Sequence, residues 1–231
     1  MDFPDPDDTL TFAVDSVPAV RDGIRGAIPT KDRNRWTQST GRWVTTDPER
    51  FGQLSSALST SPVSPSVGDR NAYKPIVKLM RQTRRIHLGD ARPGGLYIEF
   101  ATYELWNARG VSGNEWDPLF AQTLRGVARR LETARYVPLV DPALGTPVEP
   151  PLSDEELAHA AEVFSGLADS AELALTEDDC KAAARWRNIL GGNERAEFVF
   201  PLPPGCAADG SRLAVPTILT PSRRQEAPGF G

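Results

Sequence analysis

The chain has 231 residues, 39% of them hydrophobic and 25% charged, with a formal net charge of −5. That composition is ordinary for a globular protein able to bury a sizeable core, and its negative sign weighs against general affinity for nucleic acid. Two histidines, His87 and His159, leave little room for a zinc site or a Ser-His-Asp triad.

Two cysteines, Cys180 and Cys206, are expected to form neither a disulfide framework nor a metal cluster, which fits a reducing cytoplasm. No apolar run approaches the length of a membrane span, and the acidic start is wrong for a signal peptide, so no membrane partner is expected. Residues 1–8 read as an irregular loop. Pro4 and Pro6 oppose strand pairing there, so Asp5 and Asp7 are a poor metal-binding pair. From Leu10 to Val14, apolar and polar residues alternate with the period of a half-buried strand. Asp15 stands on its polar side, just before Pro18 stops it.

A polar connection follows over 21–34, with Gly23, Gly26 and Pro29. Trp36 and Trp43 then suggest a short hairpin whose rings either cover a core edge or stack on a base, with packing favoured. Asp47-Pro48 reads as a helix start leading into Phe51, Leu54 and Leu58. The Ser/Pro-rich run 59–66 reads as a flexible boundary.

The most informative helix is expected over 75–88. Ile76, Val77, Leu79, Met80 and Ile86 fall on one broad side, and Lys78, Arg81 and Arg85 form a narrow stripe on the other. Lys74 would extend the stripe, but it precedes Pro75 and is left outside the helix. Between Arg70 and Arg92 there are seven Lys or Arg residues and one acid, Asp90. Such a stripe is either a solvated face or a clamp for phosphates.

After Pro93-Gly94-Gly95 a helix runs over 96–108, with Tyr97, Phe100, Tyr103 and Trp106 along a slowly drifting ridge that reads mainly as core. Tyr97, in the first turn, is the one expected to face a cleft. Asp117-Pro118 opens the next helix, through Leu119, Phe120, Leu124, Val127 and Leu131. Ser153 and Glu156 form a capping box for a long helix through Phe164 and Leu175. Thr176-Glu177-Asp178-Asp179 starts a last helix, through Trp186 and Ile189, that Gly191 and Gly192 stop. Residues from Pro201 onward read as a disordered tail.

Several of these segments resemble one family in the right order. Val14-Asp15-Ser16-Val17-Pro18-Ala19 is similar to the strand carrying the third catalytic aspartate of the cGAS/DncV-like nucleotidyltransferases. These are relatives of the oligoadenylate synthetases and of the polymerase-beta superfamily. Gly41-Arg42-Trp43 with Thr46-Asp47-Pro48 resembles the segment that follows in that family. Val77-Lys78-Leu79-Met80-Arg81 resembles its basic helix, and Gly95-Leu96-Tyr97-Ile98-Glu99 its next helix start. Asp141-Pro142 and Ala184-Arg185-Trp186-Arg187-Asn188-Ile189-Leu190-Gly191 resemble its C-terminal signatures. The likeness covers about residues 9 to 200.

The resemblance implies an α+β, mainly helical fold. Residues 1–66 would hold a remnant of a polymerase-beta-like nucleotidyltransferase sheet, 67–200 an oligoadenylate-synthetase-like helical nucleotide-binding domain, and 201–231 the tail. It implies kinship with synthases of cyclic or linear oligonucleotide second messengers in antiviral defence, with nucleoside triphosphates as partners and Mg²⁺ as cofactor. Asp15 would be both metal ligand and catalytic group. Lys78, Arg81 and Arg85 would hold phosphates, with Lys78 and Arg81 alternatives for the main contact, and Tyr97 would lie near base or phosphates.

The family's Gly-Ser motif and Asp-x-Asp pair have no counterpart before Asp15. The expectation is therefore a C-terminal portion of the family's chain, inactive in nucleotidyl transfer by itself. The alternative is a non-catalytic nucleotide- or oligonucleotide-binding helical module.

Overall fold

The computed structural model describes residues 2–4, 11–13, 20–23, 25–30, 34, 37, 41–193 and 195–213. They form an α+β, mainly helical protein with small antiparallel sheets. The chain divides into two compact units, Met1–Asp169 and Ser170–Gly231.

The first unit opens with β1 (Asp2–Pro4) paired to β2 (Thr11–Ala13), with Phe3 opposite Phe12. Residues 2–4 are thus a strand where a loop was expected. Pro4 is tolerated because it closes an edge strand, where a missing N–H costs no ladder bond. Only the 11–13 part of the Asp15 strand is described, and Asp15 itself lies outside the described residues.

The stretch read as a polar connection instead forms β3 (Val20–Asp22) and β4 (Arg25–Pro29), joined at Gly23 with φ +63°. Its signal is weak because Ala27 is the one buried residue of β4, so no apolar alternation marks it. β4 pairs on its other edge with β5 (Trp43–Thr46), Ile28 opposite Val44. Trp43 therefore belongs to a three-stranded sheet rather than to a hairpin of its own, and Trp36 lies outside the described residues.

Helix α1 (Pro48–Thr60) starts where Asp47-Pro48 predicts, with the Asp47 carboxylate accepting from the Arg50 N–H at 2.9 Å. It runs through the start of the Ser-rich segment, and β6 (Ser66–Val67) and β7 (Arg70–Asn71) make a small hairpin after it. Helix α2 (Tyr73–Leu88) begins two residues earlier than expected. The Asn71 side chain accepts from the Tyr73 N–H at 3.0 Å, and Pro75 fits the first turn because helix N–H groups there need no intrahelical acceptor. Lys74 is consequently inside the helix.

Helices α3 (Gly95–Asn107), α4 (Trp116–Ala134) and α5 (Asp154–Ala174) complete the unit's core, α5 continuing into the second unit. Tyr73, Ile76, Met80, Ile98, Leu119, Leu124 and Phe164 are fully buried. Phe51 meets Phe100 edge-on at 4.8 Å, and Tyr73 lies 5.7 Å from Trp106. Phe100, Tyr103 and Trp106 of the α3 aromatic ridge are core, as their spacing predicts. Gly126 admits the Leu105 side chain against α4: a Cβ there would lie 2.4 Å from Leu105 Cδ2. The Ser153–Glu156 capping box forms, with bonds of 2.8 and 3.1 Å.

In the second unit α6 (Asp179–Leu190) is capped by Asp178, which accepts from the Cys180 and Lys181 N–H groups, and ends at Gly191 with φ +58°. Two findings here correct the sequence expectations. Cys180 and Cys206 are joined in a disulfide, their Cα atoms 5.2 Å apart. Residues 203–213, expected within a disordered tail, form a turn closed by a Cys206–Arg212 bridge and by Ala207 N–H donating to Ser211 O at 2.8 Å. A 26-residue separation hides the pairing from sequence inspection, because only the folded turn returns Cys206 to the first turn of α6. No helix among the described residues is long and apolar enough to cross a membrane.

Candidate functional site

One face of α2 is basic. Lys74, Lys78, Arg81 and Arg85 recur at helical spacing and are all exposed, along roughly 16 Å of helix at 1.5 Å per residue. Lys74 Nζ lies 3.2 Å from Ser56 Oγ. Arg85 donates to Gln82 Oε1 at 2.8 Å within the helix. Lys78 makes no hydrogen bond or ion pair among the described residues. Arg81 faces Glu99 of α3 at 3.5 Å.

Two neighbouring cations serve the fold instead. Arg84 donates to the carbonyls of Pro93 at 2.7 Å, Gly89 at 2.9 Å and Ala91, fastening the α2–α3 connection. Burial lowers its pKa from the ordinary arginine value, with Asp90 opposing. Arg92 reaches Glu156 at 3.3 Å and Pro150 O at 2.8 Å. The sequence count of seven cations therefore overstates what a ligand would meet.

Helix α3 begins at Gly94-Gly95 with no side-chain cap. A Cβ on Gly95 would lie 3.4 Å from Arg81 Nε, so the guanidinium rests directly over the first turn of α3. Glycine keeps that approach open. The N–H groups of a helix's first turn favour negative charge, and Arg81 adds a fork of donors at the same place.

One residue further along this turn, Leu96 borders an open groove of about 410 Å³. Its further walls are β5, from Trp43 to Thr46, Phe100 of α3, and the 141–149 loop. Trp43 and Leu96 are 41% and 54% exposed, leaving a flat apolar ring and an aliphatic side chain open to a ligand. Asp141 shapes the loop, accepting from the Ala143 and Leu144 N–H groups at 2.7 and 3.1 Å.

Tyr97 is placed elsewhere. Half-buried, it borders a separate cavity of about 240 Å³ with Leu139, Pro147, Pro151 and Leu157 among its walls. Burial raises the pKa of its hydroxyl, while Arg130 opposes the rise. Two residues along a helix turn about 200°, so Tyr97 and Glu99 cannot both face Arg81. The structure gathers Lys78, Arg81 and Arg85 on one face and does not bring Tyr97 to it.

Sequence reasoning missed Leu96 and Glu99. Their helix was legible, but the side of it that meets α2 depends on how the two helices pack. Asp15 lies outside the described residues, and among those described no group of three or more His, Cys, Asp or Glu is placed to hold a metal ion. The described residues thus supply no set fitted to Mg²⁺.

No protein-family model matches the chain, and no curated protein matches it.

Proposed function

We propose that the chain is a nucleotide-binding protein of the cGAS/DncV-like nucleotidyltransferase class. In this reading α2 takes the phosphates of a nucleoside triphosphate, and the groove bordered by Trp43 and Leu96 takes its base. One observation carries the reading: Arg81 rests over the Gly95 turn of α3, and Leu96 of that same turn borders the groove. A phosphate at Arg81 and a ring against Leu96 would lie on adjacent sides of one helical turn, which suits the connected parts of a nucleotide. The exposed stripe Lys78, Arg81 and Arg85 supplies the charge, and the ordered motifs from Asp15 to Gly191 supply the class.

These residues do the work of binding. Lys78 offers a point charge, whereas Arg81 offers a planar fork lying over a helix start. Nucleotidyl transfer would further require a metal-binding carboxylate set, with Asp15 as one member. The function is therefore nucleotide recognition within a family of second-messenger synthases.

Titration of labelled ATP and GTP against the wild type, Lys78→Ala and Arg81→Ala tests it. Each substitution removes a charge-assisted contact and is expected to weaken binding roughly 10- to 100-fold. Absence of binding, or binding indifferent to both changes, would instead make the stripe a solvated face of a helical scaffold.

A further inference from the structure

The ion pair at the centre of this face has a peculiarity. Arg81 and Glu99 approach to 3.5 Å through a single contact, longer than the 2.7–2.9 Å usual for charge-assisted hydrogen bonds. Elsewhere Arg130 holds Glu104 at 2.7 Å, and Arg185 holds Glu177 through two bonds of 2.5 and 2.8 Å. The two partners also differ in exposure. Arg81's side chain is 59% exposed, whereas that of Glu99 is 17% exposed. Among the described residues no group donates a hydrogen bond of normal length to the Glu99 carboxylate. The carboxylate is thus mostly covered, with Arg81 as its one close cation among the described residues, and the cation beside it has donors turned to solvent.

From this we infer that Glu99 is a built-in competitor for the ligand's phosphates, holding Arg81 in the empty protein and yielding it when a phosphate binds. The inference rests on the reading of α2 as a phosphate-binding face and identifies what restrains that face. A phosphate on Arg81 comes within a few ångströms of a fixed negative charge, and the protein around Glu99 screens that repulsion less than water would. Glu99 therefore lowers affinity for any anion seated at Arg81, and its influence on a phosphate acts through that one arginine. Lys78 makes no ion pair among the described residues, so its contribution is unrestrained.

The test is a titration of the full chain with inorganic tripolyphosphate, which carries no base and so isolates the charged face. Wild type, Glu99→Gln, Arg81→Ala and the double variant are compared, with circular dichroism confirming the fold. Glu99→Gln keeps the shape and removes the charge. It is expected to bind about 5- to 10-fold more tightly than wild type, and the gain should vanish when Arg81 is alanine. If Glu99→Gln fails to fold, Glu99→Asp draws the carboxylate back by one methylene and should still tighten binding.

Wild-type binding that Glu99→Gln leaves unchanged or weakens would make Glu99 a support for Arg81. That outcome overturns the inference and leaves the phosphate face standing. A gain that persists without Arg81 would reduce the effect to general charge and overturn it equally. If no variant binds tripolyphosphate, the phosphate-face reading falls and the inference falls with it.

Discussion

On α6, Lys181 pairs with Asp178 at 3.1 Å and Arg185 forks onto Glu177, so the cations of its first turns meet acids from the residues that start the helix. On α2, the first turn holds no acid, Lys78 stands alone among the described residues, and Arg81 has only the long contact to Glu99. The two helices are similarly rich in charge, but α6 neutralises its own where α2 leaves an excess. Acids at a helix N-terminus also complement its dipole, so the α6 arrangement stabilises the helix directly. On α2 only Arg85 and His87, in the last turn, complement the dipole, and most of the helix's stability comes from the buried face of Tyr73, Ile76, Val77 and Met80. Density of charge alone is thus a poor guide to a binding face. Charge that its own neighbours do not neutralise is the better one.

The sharpest way to break this contrast is to loosen α6. Cys180→Ser or Cys206→Ser opens the covalent loop that ties the 203–213 turn to the helix start, and should cost about 2–4 kcal/mol of stability. Denaturant unfolding with and without reductant measures it. Reductant should destabilise the wild type and leave either serine variant unmoved. Equal stability throughout would show that the charges and caps of α6 suffice without the bond.

Within α2, neighbouring arginines provide the next contrast. Arg84→Ala strands three carbonyls of the α2–α3 connection and should cost about 2–3 kcal/mol, whereas Arg81→Ala should stay within about 0.5 kcal/mol. Thermal melts of the two variants decide the matter. A large loss in Arg81→Ala would make the Glu99 pair structural.

Helix starts were readable wherever a cap with local chemistry marks them, as at Asp47, Ser153 and Asp178. The buried faces of α2, α3 and α4 followed from apolar spacing. The strands β3 and β4 were not readable, because their pairing is set by the Gly23 turn and by β5 rather than by any alternation of their own. At the site, the spacing of Lys78, Arg81 and Arg85 placed them on one face directly. The roles of Arg84, Leu96 and Glu99 needed the third dimension. Arg84 and Arg85 are consecutive and look equivalent in sequence, yet a single helical step sends one to backbone carbonyls and leaves the other in solvent. Cys180 and Cys206 were misread for a related reason, since a count of two cysteines says nothing of the distance between them.

The smallest expected effect is on acid stability, where the two regions should respond with opposite sign. Arg185 and Lys181 hold the pKa values of Glu177 and Asp178 below the ordinary carboxylate values of 4.5 and 3.8. Their contribution is present above those values and is lost as pH falls through the depressed folded ones. Asp178 is exposed and the Glu177 side chain is 22% exposed, so water still screens both pairs and keeps the effect small. Glu99 behaves in reverse: burial raises its pKa above 4.5, and Arg81 only partly offsets this. Its protonated form suits the fold, so that contribution is complete below 4.5 and is lost as pH rises through the raised folded value. Glu177→Gln should accordingly flatten the stability profile on the acid side of 4.5, and Glu99→Gln should flatten it on the other. Urea midpoints measured in steps from pH 3 to pH 7 separate the two, at about constant ionic strength to hold screening fixed. Should both variants alter the same side of the profile, the distinction between a satisfied acid on α6 and a competing acid beside α2 is lost.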